Sequence, residues 1–189
     1  MTFWADRRQF LCALKIIENC LFQVIPLYRL KHYCNLCSYF NEKISLNENN
    51  IVEQYLRLNR QYLRQKRQVD NELYAQIMGG IKDMFEFSYG DFTVVVPKTP
   101  DEIRKEGLYM HHCVADYAMS CADDEPTYII FVRKKSNPNQ CYITCQVDND
   151  GGILQYYLAR DEQVTNEKDL DFQEKLQAHL YKQFNLQID

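Results

Sequence analysis

The strongest constraint on the fold is a series of three short apolar runs in the second half of the chain. They span Tyr128–Lys134, Cys141–Val147 and Ile153–Arg160, and β-branched and aromatic residues predominate in them. The connections Ser136–Asn139 and Asn149–Gly152 are short and rich in Asn, Asp, Gly and Pro, as is typical of hairpin turns. Consecutive hairpins predict an antiparallel sheet, and the first run, apolar on both faces, is expected at its centre.

A further strand and a helix are predicted just before these runs. Phe92–Val96 is β-branched and closed by Pro97, so it is expected to be a strand. Thr99 at the N-cap and Pro100 at the first helical position predict a helix start, and Gly107 predicts its end.

Tyr109–Ala122 is predicted to form a second helix, and Glu167–Phe184 a final amphipathic one. On the second helix, Cys113, Tyr117 and Cys121 would share a stripe packed inward against the sheet. The adjacent stripe would carry His112, Asp116 and Ser120.

The first 88 residues show helical rather than strand periodicity. The elements predicted there are a helix over Arg7–Leu21, a break at Pro26, a helix over Leu27–Phe40, a loop over Asn41–Asn50, and a long helix over Ile51–Phe85 interrupted at Gly79 and Gly80. The fold class is therefore α+β. A helical region (1–88) precedes a module (89–189) with a mainly antiparallel sheet of about four strands, packed with helices on one face.

Composition limits the class of protein. Hydrophobic residues make up 46% of the chain, enough for a core, and no run approaches the ~20 apolar residues of a membrane helix. The N-terminus has no secretory pattern, so we expect a cytoplasmic protein whose eight cysteines are reduced thiols. The net charge of −4 attracts no nucleic acid globally, so such binding would need a local basic patch.

Several sequence blocks in the second half resemble the signature of the PcfJ-like family. They are Glu106–Tyr117 with its His-Cys pair, Tyr128–Arg133, Tyr142–Gln146, and Gly152–Gln155 followed by Leu158–Asp161. The resemblance covers about Tyr89 to Phe184. The chain has Leu158 and Asp161 where many members carry Gly and Asn.

This resemblance implies a genetic setting rather than a reaction. Members of the family look like proteins of conjugative plasmids, phages and related mobile elements, and no biochemical activity is firmly established for them. An accessory role in such an element is the expectation that follows.

His112 is the main candidate for chemistry, with Tyr117, Arg133 and Gln155 around it. It could lock its helix to the sheet by a hydrogen bond, or act as a general acid–base, or simply be exposed. Cys113 at a helix start would be an activated nucleophile, but consecutive helical side chains point about 100° apart, so His112 is poorly placed to deprotonate it.

A basic segment is the main candidate for binding. It contains Arg57, Arg60, Arg64, Lys66 and Arg67, interleaved with two tyrosines. The arginines are spaced by three or four residues and therefore form one helix stripe, suited to contact with phosphates or an acidic partner. The alternative is a solvated helix face that pairs with nearby acids such as Glu53 or Asp70. Arg133, Lys134 and Lys135 would extend the patch if they lay nearby.

No motif predicts a cofactor or a complete metal site. His32, Cys34 and Cys37 have ligand-like spacing, but no second motif supplies a fourth ligand.

Three functional hypotheses follow. The first is a non-enzymatic accessory protein that binds nucleic acid or a host protein, and the second is a small His112-dependent enzyme acting on nucleic acid. The third is an inhibitor that binds a host defence nuclease.

Overall fold

The computed structural model describes residues 27–45 and 48–185. The helix predicted over Arg7–Leu21 and the break at Pro26 lie outside these residues. The chain divides into two compact units, Met1–Gln68 and Val69–Asp189, each with a hydrophobic core of its own. The domain boundary expected between residues 88 and 89 stays a prediction. No helix of the described residues is long and apolar enough to cross a membrane.

The first unit contains helix α1 (Leu27–Tyr39) and the beginning of helix α2 (Glu48–Ile81). The core between them consists of Leu30, Tyr33, Leu36, Cys37, Ile51 and Leu58. The Tyr33 hydroxyl donates to Gln54 Oε1 (2.6 Å) and accepts from the Ser45 amide (2.9 Å), which ties the α1–α2 connection to both helices. Helix α2 begins three residues before the predicted Ile51.

Helix α2 is continuous through Gly79 and Gly80, where an interruption was expected. Glycine costs only about 1 kcal/mol in a helix interior, so it weakens a helix without forbidding it. Tyr74 and Met78 are buried in the core of the second unit and hold this part of α2 in place. The helix ends at Ile81 and a 3₁₀ turn, Lys82–Phe85, follows it.

The second unit is built on an antiparallel sheet of five strands in sequential order. The strands are β1 (Ser88–Tyr89), β2 (Phe92–Val95), β3 (Tyr128–Lys134), β4 (Ile143–Val147) and β5 (Ile153–Tyr157). This confirms the α+β class and the central position of the first apolar run. Strand β1 was not predicted because two residues are too few to show alternation. Strands β4 and β5 are also shorter than their predicted runs.

Both faces of the sheet are covered, whereas helices were expected on one. Helix α4 (Glu167–Asn185) lies against one face, where Tyr156 Oη donates to the Asp169 carbonyl (3.4 Å). Helix α3 (Pro100–Met110) lies against the other, where Glu106 pairs with Arg133. All five residues of β4 are buried, which requires cover on both sides.

Helix α3 starts as predicted but does not stop at Gly107. Pro100 occupies the first turn and Thr99 the N-cap position, although the Thr99 side chain makes no capping bond. The helix ends at Met110, and His111 caps it in the left-handed conformation (φ 55°, ψ 45°). A Cβ at Gly107 would lie 3.0 Å from the Ala115 nitrogen, so this glycine allows a close approach instead of ending the helix.

The helix predicted over Tyr109–Ala122 is wrong. The segment forms two 3₁₀ turns, Cys113–Tyr117 and Ser120–Ala122, separated from α3 by His112 in an extended conformation (φ −138°). Ser120 Oγ lies 2.9 Å from the Tyr117 carbonyl oxygen and 2.8 Å from that of Thr127, and its single proton is shared between them. Such side-chain bonding to the backbone competes with a helical ladder. The two predicted stripes therefore do not exist, and Cys113 is exposed instead of packed inward.

Candidate functional site

His112 joins the first 3₁₀ turn to strand β4 through both ring nitrogens. The Val114 amide donates to Nδ1 (3.4 Å), and Nε2 lies 3.1 Å from Thr144 Oγ1. Because a backbone N–H can only donate, Nδ1 is the acceptor and the neutral ring carries its proton on Nε2. His112 therefore donates to Thr144, a contact that fixes the turn to the sheet.

A buried ion pair lies next to this contact. Arg133 Nη2 donates to Glu106 Oε2 (2.6 Å), and the two side chains are only 7% and 3% exposed. Thr144 Oγ1 donates to the other carboxylate oxygen (3.4 Å), so a chain of hydrogen bonds runs from His112 to Glu106. The carboxylate has partners at both oxygens, as a buried charge requires.

Cys141 is a further partner of this carboxylate. Its thiol donates to Glu106 Oε2 at 3.0 Å. Burial, and then the hydrogen bond to the negatively charged Glu106, raises the pKa of the Cys141 thiol to about 11. The thiol is therefore protonated at neutral pH and acts as a donor, not as a nucleophile.

A narrow, partly open cleft lies beside His112, within the second unit. Thr144 and Gln146 of β4 lie opposite Tyr157 and Gln155 of β5, so their side chains form a polar patch on one sheet face. The lining residues are His112, Cys113, Val114, Tyr117, Ile129, Thr144, Gln146, Gln155, Tyr157 and Asp161.

The cleft brings together three of the four residues predicted to surround the chemistry. His112, Tyr117 and Gln155 line it, whereas Arg133 does not. Arg133 is held by Glu106, with its guanidinium carbon 4.6 Å from the centre of the Phe131 ring. Arg133 therefore lies in an ion pair beside the cleft, and a role for it in chemistry at His112 stays a prediction.

His112 is also not available as a base for Cys113 in this arrangement. The thiol lines the cleft and is exposed, but the two His112 nitrogens bond to Val114 and Thr144. The stripe of His112, Asp116 and Ser120 disappears with the predicted helix.

Four polar lining residues were missed by the sequence reasoning: Thr144, Gln146, Tyr157 and Asp161. The sequence contained a pattern for Thr144, Gln146 and Tyr157. Thr144 and Gln146 are two residues apart on one strand and therefore share a sheet face, and Gln155 and Tyr157 do the same on the next strand. Only the register shows that the two pairs are neighbours. Asp161 had no such signal, because it lies in a 3₁₀ turn after the strand.

All the blocks of the family signature meet at this cleft or at the ion pair beside it. Glu106–Tyr117 supplies His112 and Tyr117, and the strand blocks supply Ile129, the two glutamines and Arg133. A protein-family model, described as PcfJ-like protein, matches residues 30–173. The chain belongs to the PcfJ-like family. This membership indicates a plasmid-associated protein.

The match to the PcfJ-like model begins well before Tyr89, where the resemblance had been placed, and so includes most of the first unit. No curated protein matches the chain, and no solved structure does.

The basic segment lies on the part of α2 that belongs to the first unit. Its five cations, Arg57, Arg60, Arg64, Lys66 and Arg67, are all exposed. Arg57 makes a two-pronged ion pair with Glu42, and Arg60 Nε donates to the Leu56 carbonyl (3.1 Å). The other three form no ion pair with any carboxylate of residues 27–45 and 48–185.

Two tyrosines and one lysine of this segment lie apart from the stripe of four arginines. Tyr55 and Tyr62 are packed against the core of the first unit and make edge contacts with His32. At about 100° per residue, Lys66 points roughly 180° away from Arg57 and so falls outside the arginine stripe. Asp70, a predicted partner of the stripe, pairs with Arg104 instead.

The residues suggested to extend the patch are engaged in the second unit. Arg133 is buried, Lys134 Nζ lies 4.0 Å from the centre of the Tyr142 ring, and Lys135 donates to the Gly90 carbonyl (2.8 Å).

The possible metal ligands of α1 do not converge. His32 Nε2 lies 3.1 Å from Asn59 Oδ1, and burial raises the pKa of the Cys34 and Cys37 thiols. Within the described ranges, no group of three or more His, Cys, Asp or Glu side chains is arranged to hold a metal ion.

Proposed function

We propose that this PcfJ-like protein is a mobile-element accessory protein that binds nucleic acid through Arg57, Arg60, Arg64 and Arg67, here called the arginine stripe. The observation that carries the proposal is the composition of one exposed helical stretch. From Gln54 to Val69 the chain has five cations and no acidic residue, in a protein whose net charge is −4. Such a local excess is what phosphate contact needs when the overall charge is unfavourable.

The geometry of the stripe suits a phosphate backbone. At about 100° per residue the four arginines fall within an arc of roughly 80°, and at 1.5 Å per residue they extend over about 15 Å. Double-stranded DNA carries one charge per about 1.7 Å of its axis, so several phosphates lie within reach of this length. Arg57 is the weakest member, because Glu42 already pairs with it.

The stripe is also a source of repulsion in the free protein. Arg60 and Arg64 are four residues apart and Arg64 and Arg67 are three apart, so like charges are neighbours on the helix surface. Each such pair destabilises a helix by about 0.2–0.5 kcal/mol. A bound polyanion would remove this cost, which supports an anionic partner over a purely solvated face.

The surroundings favour a duplex over a single strand. Single-stranded nucleic acids are generally held by base stacking on exposed aromatic rings. The tyrosines nearest to the stripe in sequence, Tyr55 and Tyr62, pack toward the core instead. The stripe therefore offers cations to the nucleic-acid backbone, while the two tyrosine rings that could stack on unpaired bases are packed against the core.

The second hypothesis, a His112-dependent enzyme, has less support. Both ring nitrogens of His112 are engaged, and Arg133 does not line the cleft. The third hypothesis, an inhibitor of a defence nuclease, would use an acidic surface that mimics nucleic acid, and the net charge of −4 over 189 residues supports it only weakly.

Fluorescence anisotropy with a short DNA duplex at a series of salt concentrations tests the proposal. The variant carries Arg60→Gln, Arg64→Gln and Arg67→Gln. If each arginine contacts one phosphate, its logarithmic salt slope should be shallower by about 0.9 per arginine, and binding should weaken at every salt concentration. Single-stranded DNA and duplex RNA are the comparison probes.

The matched control removes three exposed lysines elsewhere, with Lys98→Gln, Lys175→Gln and Lys182→Gln. It has the same net charge as the stripe variant and should bind the duplex like the wild-type protein. Equal weakening in both variants would mean that net charge, not the stripe, governs binding. Absence of duplex binding at low salt would refute the proposal and favour an acidic protein partner, which affinity capture from nuclease-treated lysate would then identify.

A further inference from the structure

We infer that the cleft beside His112 is a binding site for a guanidinium group, such as the arginine side chain of a protein partner. This site lies in the second unit, apart from the arginine stripe, and does not depend on nucleic-acid binding. The polar patch formed by β4 and β5 supplies its floor, and the 3₁₀ turns Cys113–Tyr117 and Ala159–Asp161 supply its rim.

The first argument is that several polar groups in the cleft have no partner. The side chains of Gln155, Tyr157 and Asp161 make no hydrogen bond with the described part of the chain. Gln146 uses its amide nitrogen to donate to Thr127 Oγ1 (2.9 Å), which leaves its carbonyl oxygen free to accept. By contrast, His112 and Thr144, which also line the cleft, are satisfied by each other and by their neighbours. Because no buried side-chain nitrogen or oxygen of the described residues lacks a partner, these groups are open to solvent and available to a ligand, and they lie together on one side of the cleft.

The second argument is charge. No lysine or arginine lines the cleft, whereas Asp161 does. Asp161 forms no ion pair with any described residue. A phosphate or carboxylate would meet no cation here and would be repelled by Asp161. A positively charged group would gain a charge-assisted hydrogen bond from it.

The third argument concerns the backbone that carries this carboxylate. Arg160 (φ 61°, ψ 30°) and Asp161 (φ 57°) are consecutive non-glycine residues in the left-handed region. That conformation is uncommon for residues other than glycine, although Asp and Asn tolerate it best. Such outliers persist where the surrounding structure holds them, and they cluster at ligand-binding positions. Here the turn places the Asp161 carboxylate at the edge of the cleft.

The shape of the site favours a planar cation over a compact one. Gln146 and Gln155 are directly opposite each other on adjacent strands, so their two side-chain amides are neighbours on the same sheet face. Tyr117 and Tyr157 add two aromatic rings to the lining. A guanidinium has five donors in one plane and stacks on aromatic faces, whereas an ammonium is a strongly hydrated point charge. A nucleobase is also planar, but it lacks the positive charge that Asp161 selects.

The test is an NMR titration of the full ¹⁵N-labelled chain with N-acetyl-arginine methylamide. The expected result is a saturable shift of the Gln146 and Gln155 side-chain amide signals and of the Asp161 backbone amide. The corresponding citrulline compound, which has nearly the same shape without the charge, should bind about ten- to a hundredfold more weakly, since hydrogen bonds to charged groups contribute about 1.5–3 kcal/mol. The lysine compound should also bind more weakly.

The matched variant is Asp161→Asn, because asparagine accepts the same left-handed backbone and should leave the fold intact. The variant should bind the arginine compound only as weakly as the wild-type protein binds the citrulline compound. Should this variant unfold, Gln155→Leu serves in its place, with loss of arginine-dependent shifts expected at Gln146. Equal binding of the citrulline compound, or shifts of the same signals by adenosine or cytidine instead, would overturn the inference. Failure of the arginine compound to shift these signals at its solubility limit would do so as well.

Discussion

At the residue scale, the feature with the greatest energetic consequence is Glu106. Its carboxylate is almost fully buried and accepts from Arg133, Cys141 and Thr144. A buried charge is tolerable only because these donors replace the water it has lost. The sequence block that contains it is part of the family signature, but nothing in the sequence distinguished Glu106 from the half-buried acids Asp101 and Glu102 of the same helix.

The first prediction is that Glu106→Ala lowers the free energy of unfolding by about 3–5 kcal/mol, because it leaves the Arg133 charge buried and unpaired. Urea unfolding followed by circular dichroism measures the change. The double variant Glu106→Met, Arg133→Met is the control, and it should recover most of the loss since no charge is then left unpaired. A loss below about 1 kcal/mol for Glu106→Ala would contradict the burial of this pair.

At the element scale, the contact between α3 and the turn that follows it depends on a glycine. The turn Cys113–Tyr117 folds back onto α3, and its Ala115 lies against Gly107. A Cβ at Gly107 would lie 3.0 Å from the Ala115 nitrogen, 3.1 Å from its Cβ and 3.2 Å from the His112 carbonyl oxygen. These neighbours are mainly backbone atoms, which move less easily than the end of a side chain.

The second prediction compares two glycines that are both inside helices. Gly107→Ala should destabilise the protein by about 1–3 kcal/mol, because the added methyl group overpacks the contact with the turn. Gly80→Ala should instead stabilise it by about 0.5–1 kcal/mol, because a Cβ there meets nothing within 4 Å and alanine favours the helix. Thermal melts of both variants provide the measurement. Stabilisation by Gly107→Ala would show that the turn yields easily, contrary to the close packing described.

At the scale of the whole molecule, the two units have separate cores. Leu58 is fully buried in the first, and Leu176 is fully buried in the second. Helix α2 contributes to both, since Leu58 and Met78 belong to different cores. The boundary proposed from the sequence lies between residues 88 and 89, whereas the compact units meet between Gln68 and Val69.

The third prediction distinguishes these two boundaries by amide hydrogen exchange. Leu58→Ala creates a cavity that should cost about 2–5 kcal/mol, and the loss of protection should follow the cooperative unit to which Leu58 belongs. We expect faster exchange in α1 and in α2 up to Gln68, with protection unchanged in 69–81 and in β3. Leu176→Ala is the converse control. Faster exchange throughout α2 in the Leu58→Ala variant would favour the boundary at residue 88.

How far the sequence predicted the fold can be judged from particular elements. Strand β3 and helix α4 were placed within one residue, because both combine strong periodicity with clear turn residues at their ends. The prediction of a helix over Tyr109–Ala122 failed. The hydrogen bonds of Ser120 and the extended backbone of His112 are tertiary features, and local helical spacing does not reveal them. The candidate site was found in part, through His112, Tyr117 and Gln155.

The sequence by itself determined the α+β class, the antiparallel hairpins, the family and the basic segment on α2, because each follows from local periodicity, turn chemistry or residue type. The tertiary structure decided which of these residues meet. It placed Arg133 with Glu106 instead of in the cleft, packed Tyr55 and Tyr62 against the core of the first unit, and brought Gln146 beside Gln155. The physical reason is that strand register, the covering of both sheet faces and the burial of charges depend on contacts between residues distant in sequence, which no local pattern encodes.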